Sequence, residues 1–93
     1  MSKSIISNNR ECLVCGTVFN LHKHHIYGGS RRNTSEKYGC WCYLCARHHN
    51  WSDFGVHYDK QFDIRLKKLC QQKLIERGWT TEHFIEEFGR NYL

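Results

Sequence analysis

The pattern of apolar and polar positions changes character several times along the chain. Residues 1–10 are polar and aperiodic, which predicts a loose N-terminal arm. After Thr17-Val18-Phe19-Asn20, the stretch Leu21 to Tyr27 alternates well enough to predict a strand. On such a strand His22 and His24 share one face and His25 takes the other. Gly28 to Ser35 has no apolar anchor and reads as a turn-rich, basic loop. Tyr38-Gly39 through Trp41 and Tyr43-Leu44 predict a second short strand, antiparallel to the first. Beyond an irregular stretch interrupted by Gly55, the period becomes helical. Phe62, Leu66, Leu69 and Leu74 recur at spacings of three to five between Asp59 and Arg77, and Gly78 closes the helix. Thr80 or Thr81 caps a final short helix whose stripe is Phe84, Ile85 and Phe88 and whose end is Gly89.

This order predicts an α+β fold: a flexible arm over 1–10 and one domain over 11–93. The strands lie within a core of about 12–58, and C-terminal helices occupy about 59–77 and 81–89. With 93 residues the chain sits at the small end of what folds on a single core. Six cysteines and seven histidines therefore matter, because a bound metal supplies stability that a small core cannot. No export signal is visible near Met1 and no segment reaches the length of a membrane span. The expectation is a cytoplasmic protein with no membrane partner, its cysteines reduced thiolates for metal rather than disulfides. The formal net charge of +5 favours a polyanionic partner without deciding for one.

Cys12-Leu13-Val14-Cys15-Gly16 is the half-site of a zinc knuckle, in which a tight turn aims two sulfurs at one ion and glycine takes the positive φ. The second half-site begins at Cys45. Cys45-x-x-His48 is favoured over Cys42-x-x-Cys45, because His49 then begins a helix beside the knuckle. Two such pairs about thirty residues apart are a strong structural-zinc signal. Cys40, Cys70 and Cys42 are then buried small apolar residues.

With CxxC, strand, His24-His25, loop, strand, CxxH-His49 and helix in order, the sequence resembles the HNH endonuclease family, closest to its small phage-type members. The resemblance covers Cys12 to about His57. It implies a ββα-metal (His-Me finger) core, in which a hairpin and a helix grip one divalent ion beside a structural zinc, and a DNA partner in phage genome processing. It places His24 and His49 as ligands of the catalytic ion and His25 as general base. A further ligand falls at Asp53 by position or at His57, and His57 is preferred. One departure is plain: the family asparagine that helps orient the base should fall near Cys40, and no asparagine is there.

Chemistry supports the assignment. Phosphodiester hydrolysis needs a nucleophilic water, neutralised phosphate charge and help for the leaving oxygen. His25 would take the water proton, imidazole being the side chain that titrates nearest neutrality. An all-nitrogen ligand set suits Zn²⁺, Ni²⁺ or Mn²⁺, and phosphate oxygens and waters make Mg²⁺ workable. Arg31, Arg32 and Lys37 are candidate phosphate contacts. The blander readings are a supporting role for His22, a surface His83, an ordinary helix face for Lys67-Lys68, and core or lid positions for Trp41, Trp51 and Trp79. The alternative function is a zinc-binding nucleic-acid module without catalysis.

Overall fold

A computed structural model describes residues 3–49 and 59–93. These residues form a two-stranded antiparallel sheet with helices between its strands and after it. β1 (Leu21–His25) pairs with β2 (Trp41–Cys45) so that Leu21 faces Cys45, His24 faces Cys42 and His25 faces Trp41. The two-residue pleat then sorts the side chains. His22, His24, Cys42 and Leu44 share one face, and Lys23, His25, Trp41, Tyr43 and Cys45 share the other. Cys42 and Leu44 are fully buried and His24 nearly so, which makes the first face the core side.

Gly28 to Ser35 is not the loop that its composition predicts. A short 3-10 turn (Gly29–Arg31) runs directly into α1 (Arg32–Lys37). The reason lies in Ser35, which is completely buried. Its hydroxyl donates to the Cys40 carbonyl and accepts the Tyr27 N–H at 3.2 Å, tying both ends of the connection together. The anchor is polar, so a search for apolar periodicity passes over it.

Within the expected loose arm, residues 4–6 dock on the rest of the chain, while residues 8–10 are exposed. Ile5 N–H donates to the Gly39 carbonyl at 2.9 Å, and the buried Ser4 hydroxyl donates to the Trp41 carbonyl. Ile5 and Ile6 pack on the core. Gly39 permits this approach: at φ 74°, a Cβ there would lie 2.2 Å from the Lys3 carbonyl oxygen.

α2 (Ala46–His49) follows β2 without a break. α3 (Lys60–Glu76) starts at Asp59, whose carboxylate accepts the N–H groups of Gln61 and Phe62. Its inner stripe is Leu66, Cys70, Gln71 and Leu74. α4 (Thr81–Phe88) is capped by the Thr80 hydroxyl and ends at Gly89 with φ 89°. Phe84 and Phe88 pack against Tyr27, with ring centroids 5.5 and 4.4 Å away, and the Tyr27 hydroxyl donates to the Lys67 carbonyl at 2.6 Å. One aromatic side chain just beyond β1 thus joins the hairpin to both C-terminal helices. Buried Gln71 holds the C-terminus down: it accepts the Tyr92 N–H at 2.8 Å and donates to Asn91 Oδ1 at 2.7 Å. No helix among the described residues is long and apolar enough to cross a membrane.

The docked N-terminal segment makes a specific prediction. Gly39→Ala should destabilise the protein by more than about 1 kcal/mol, since it combines a positive φ with a backbone clash. Hydrogen exchange should show the Ile5 amide losing protection first, and an unchanged Ile5 rate in that variant would contradict the docking.

Candidate metal centre and histidine cleft

The knuckle is built by short backbone hydrogen bonds. Cys12 N–H donates to the Thr17 carbonyl at 2.8 Å and Gly16 N–H to the Cys12 carbonyl at 2.9 Å, with Gly16 at φ 75°. Leu13 N–H then donates to Tyr43 O at 2.9 Å, which fastens the knuckle to β2. Cys45 ends β2, and His48 lies one helical step further, in α2. As a result the ligand atoms of Cys12, Cys15, Cys45 and His48 all lie within 4.8 Å of one another, a Cys3His group able to hold a metal ion.

The individual spacings support that use. Cys15 and Cys45 sulfurs are 3.8 Å apart, and Cys12 Sγ is 3.7 Å from His48 Nδ1. Sulfur and nitrogen ligands around a tetrahedral zinc are separated by about 3.6–3.8 Å. Cys45 Sγ to His48 Nδ1 is tighter, at 3.2 Å. Burial pushes the Cys12 thiol up, but N–H groups of Cys15, Cys45 and Val14 aimed at its sulfur outweigh it and bring the pKa down to about 6. A thiolate favoured at neutral pH is the form that binds metal. Cys42 is the opposite case: it lies on the core face, and burial pushes its thiol up to about 12. The pairing that left Cys42 as an alternative to His48 therefore resolves in favour of Cys45 with His48. Cys40 and Cys70 are buried small core residues, as expected.

The histidines divide between the two faces of β1. On the core side, half-buried His22 and buried His24 both meet His49 of α2. The His22 and His49 Nδ1 atoms are 2.9 Å apart; the His49 ring centroid lies 5.0 Å from that of His22 and 5.3 Å from that of His24. The His24 and His49 rings meet edge to face, and among the described residues the Cys3His group is the cluster with metal-binding spacing. His22, read from sequence as a supporting residue, sits at the same junction. His57 and Asp53, the competing further ligands, lie outside the described residues, as does Trp51.

His25 points the other way. Its Nε2 lies 3.2 Å from Glu36 Oε1, and Lys23 Nζ reaches the same carboxylate at 2.6 and 2.9 Å. The Lys23 hydrogen bond, opposed by some burial and reinforced by His25, holds the Glu36 carboxyl below the usual carboxylate range. Lys23 in turn lies 4.2 Å above the Trp41 ring. Glu36 had no place among the residues expected from sequence. It falls between the expected loop and the expected second strand, and only the α1 helix and the strand register bring it to His25.

Two clefts meet at this pair. One, of about 280 Å³, is bordered among the described residues by His24, His25, His49, Lys23, Arg32 and the Gly28-Gly29 backbone. The other, of about 320 Å³, shares His24 and His25 and adds Lys60, Asp63 and Lys67 from α3. Of the three basic residues singled out from sequence, Arg32 borders the cleft. Arg31 instead donates to the Glu87 carbonyl at 3.3 Å, at the C-terminal end of α4, and Lys37 lies 5.2 Å from the Tyr38 ring centroid. Lys67 is less of an ordinary helix face than its sequence suggests, since it pairs with Asp63 at 2.7 Å beside His25's cleft. His83 is half-buried and stacks on Trp79 at 4.0 Å.

Comparison with protein-family models, curated proteins and solved structures found no match to this chain.

The Cys3His group should behave as a single thermodynamic unit. Cys45→Ser is expected to lose one tightly held metal ion per chain and, with it, cooperative thermal unfolding, because structural zinc contributes on the order of 10 kcal/mol. Cys42→Ser should keep that ion. Metal analysis and calorimetry of the two variants check this; equal metal content in both would rule out the Cys45–His48 half-site.

Proposed function

We propose that the chain is a metal-dependent endonuclease of the HNH, ββα-metal type, which hydrolyses DNA phosphodiester bonds. The observation that carries this reading is the opposed placement of two consecutive histidines. His24 turns to His49 of α2, His25 turns to Glu36 of α1, and both border one basic cleft. A purely structural site has no need for that arrangement, whereas hydrolysis needs one imidazole on a cation and a neighbouring imidazole free to take a proton.

On this reading Cys12, Cys15, Cys45 and His48 hold a structural zinc, and His24 and His49 hold a divalent ion, with His57 as a further ligand. That ion supplies charge neutralisation at the scissile phosphate and at the departing 3′ oxygen. His25 accepts a proton from the attacking water and is the general base. Arg32, together with Lys60 and Lys67 across the adjoining cleft, binds backbone phosphates and sets the strand over the two histidines. Gly28 and Gly29 line the same opening, and an added Cβ at either meets nothing within 4 Å, so the rim leaves room for a phosphodiester chain. The resemblance to small phage-type members sets the work in phage DNA processing, inside the cell.

A second reading keeps the zinc and the nucleic acid and drops catalysis. It is favoured by one observation, the lack of an asparagine near Cys40. The two readings part on one experiment. Purified protein should nick supercoiled plasmid with one or more of Mg²⁺, Mn²⁺, Ni²⁺ and Zn²⁺, and His25→Ala should slow nicking by roughly 10²–10⁴-fold. Structural metal content and the folded spectrum should be unchanged in that variant. Intact plasmid under every ion, with wild type and His25→Ala binding DNA alike, would establish the non-catalytic module instead. Arg32→Ala should weaken DNA binding and lower its salt dependence by about one ion, with a smaller effect on turnover at saturating DNA.

A further inference from the structure

We infer that Glu36 is a positioning residue: it fixes the His25 ring so that Nε2 carries the proton and Nδ1 is left as the basic nitrogen. The inference rests on the nuclease reading for its catalytic meaning, but its geometric content stands by itself. Glu36 lies on α1, outside every motif the sequence displays, and reaches His25 only because α1 packs beside β1.

Donor and acceptor capacity sets the direction of this hydrogen bond. Lys23 places its ammonium within 2.6 and 2.9 Å of the two Glu36 oxygens, which keeps the carboxylate ionised and held from a second direction. An ionised carboxylate can only accept. His25 Nε2 at 3.2 Å from Oε1 must therefore be the donor. A neutral imidazole with its hydrogen on Nε2 has its lone pair on Nδ1, and that nitrogen is the one able to accept a proton from water. The effect of Glu36 is to orient the ring.

The geometry also accounts for Lys23 on the face of β1 opposite the core. It shares that face with His25, two residues away, packs over Trp41, and clamps Glu36 against the strand. Lys23, Glu36 and His25 thus form one chain of contacts from α1 to the cleft. Arg32 stands on the same short helix one turn earlier and borders the cleft. α1 therefore contributes both a candidate phosphate contact and the carboxylate that sets the base.

The test has two independent arms. Kinetics on plasmid or duplex DNA should show Glu36→Ala lowering kcat roughly tenfold or more, short of the 10²–10⁴-fold of losing the base, with KM changed by less than about twofold. Glu36→Gln, whose amide oxygen can still accept from Nε2–H, should recover most of the loss. The second arm reads the ring directly: long-range ¹H–¹⁵N correlation on zinc-loaded protein should report His25 as the Nε2–H tautomer in wild type and Glu36→Gln, and as a mixture in Glu36→Ala. Retained zinc content and an otherwise superimposable amide spectrum show that each variant has folded. An unchanged ring pattern in Glu36→Ala, a kcat within about twofold of wild type, or a Gln variant no better than Ala would each overturn the proposal. If wild-type protein cuts nothing, the nuclease reading fails, and the tautomer alone decides whether Glu36 sets the ring.

Discussion

The arrangement depends on the closure of one Cys3His group at the end of β2. Cys45 and His48 are three residues apart across the strand-to-helix junction, and Cys12 and Cys15 come from a knuckle fastened to β2 through Leu13 and Tyr43. A metal held by all four would fix the direction in which α2 leaves the sheet. His49 is the next residue after His48, so the group that anchors α2 also aims His49 at His24 and His22. In a chain this small, the Cys3His group and the histidine cleft cannot be independent. Loosening the first turn of α2 would move His49 away from β1 before it disturbed the rest of the core.

The register of β1 against β2 supplies the other half of the geometry. Because the pleat repeats every two residues, neighbouring histidines diverge without any loop or special backbone. A shift of one residue would send His25 into the core and His24 to Glu36. Register is held at both ends: Leu21 opposes Cys45 in the metal group, and Tyr27, just past β1, is locked among Phe84, Phe88 and the Lys67 carbonyl. The C-terminal helices therefore also contribute by pinning the strand that carries the histidines.

Legibility in the sequence followed the kind of force involved. Strands and the two long helices rest on apolar periodicity and local turn chemistry, and these were readable: of Thr80 and Thr81 the first caps α4, although Leu69 and Ile85 of the expected apolar stripes are exposed. The Cys3His group was readable because tetrahedral coordination demands short x-x spacings within each half-site. What was hidden is held by single polar side chains bonded to distant backbone. Ser35 converts an apparent loop into α1, Ser4 and Gly39 dock the N-terminal segment, and Gln71 seats the C-terminus. None leaves a periodic trace, because each acts once and its partner is a main-chain atom that any residue could offer. Glu36 was missed for the same reason, one step removed: its role follows from the helix that Ser35 makes.

Charge placement in the cleft supports the proposed polyanionic partner more directly than the net charge does. Each described acid near the cleft is already engaged: Glu36 by Lys23 and His25, and Asp63 by Lys67. Their negative charge is spent within the protein, whereas Arg32 and Lys60 stand at the cleft edges on two different helices. A phosphate approaching His24 and His25 meets cations from two sides and acids whose charge is locally compensated. Arg31 shows that this is selective rather than a property of any basic residue in the segment. It is adjacent to Arg32 in sequence, yet its guanidinium is drawn to the carbonyl end of α4, where a cation is favoured by the helix dipole. One arginine of the pair therefore braces the fold and its neighbour faces the cleft, a division set by the 3-10 turn passing into α1 between them.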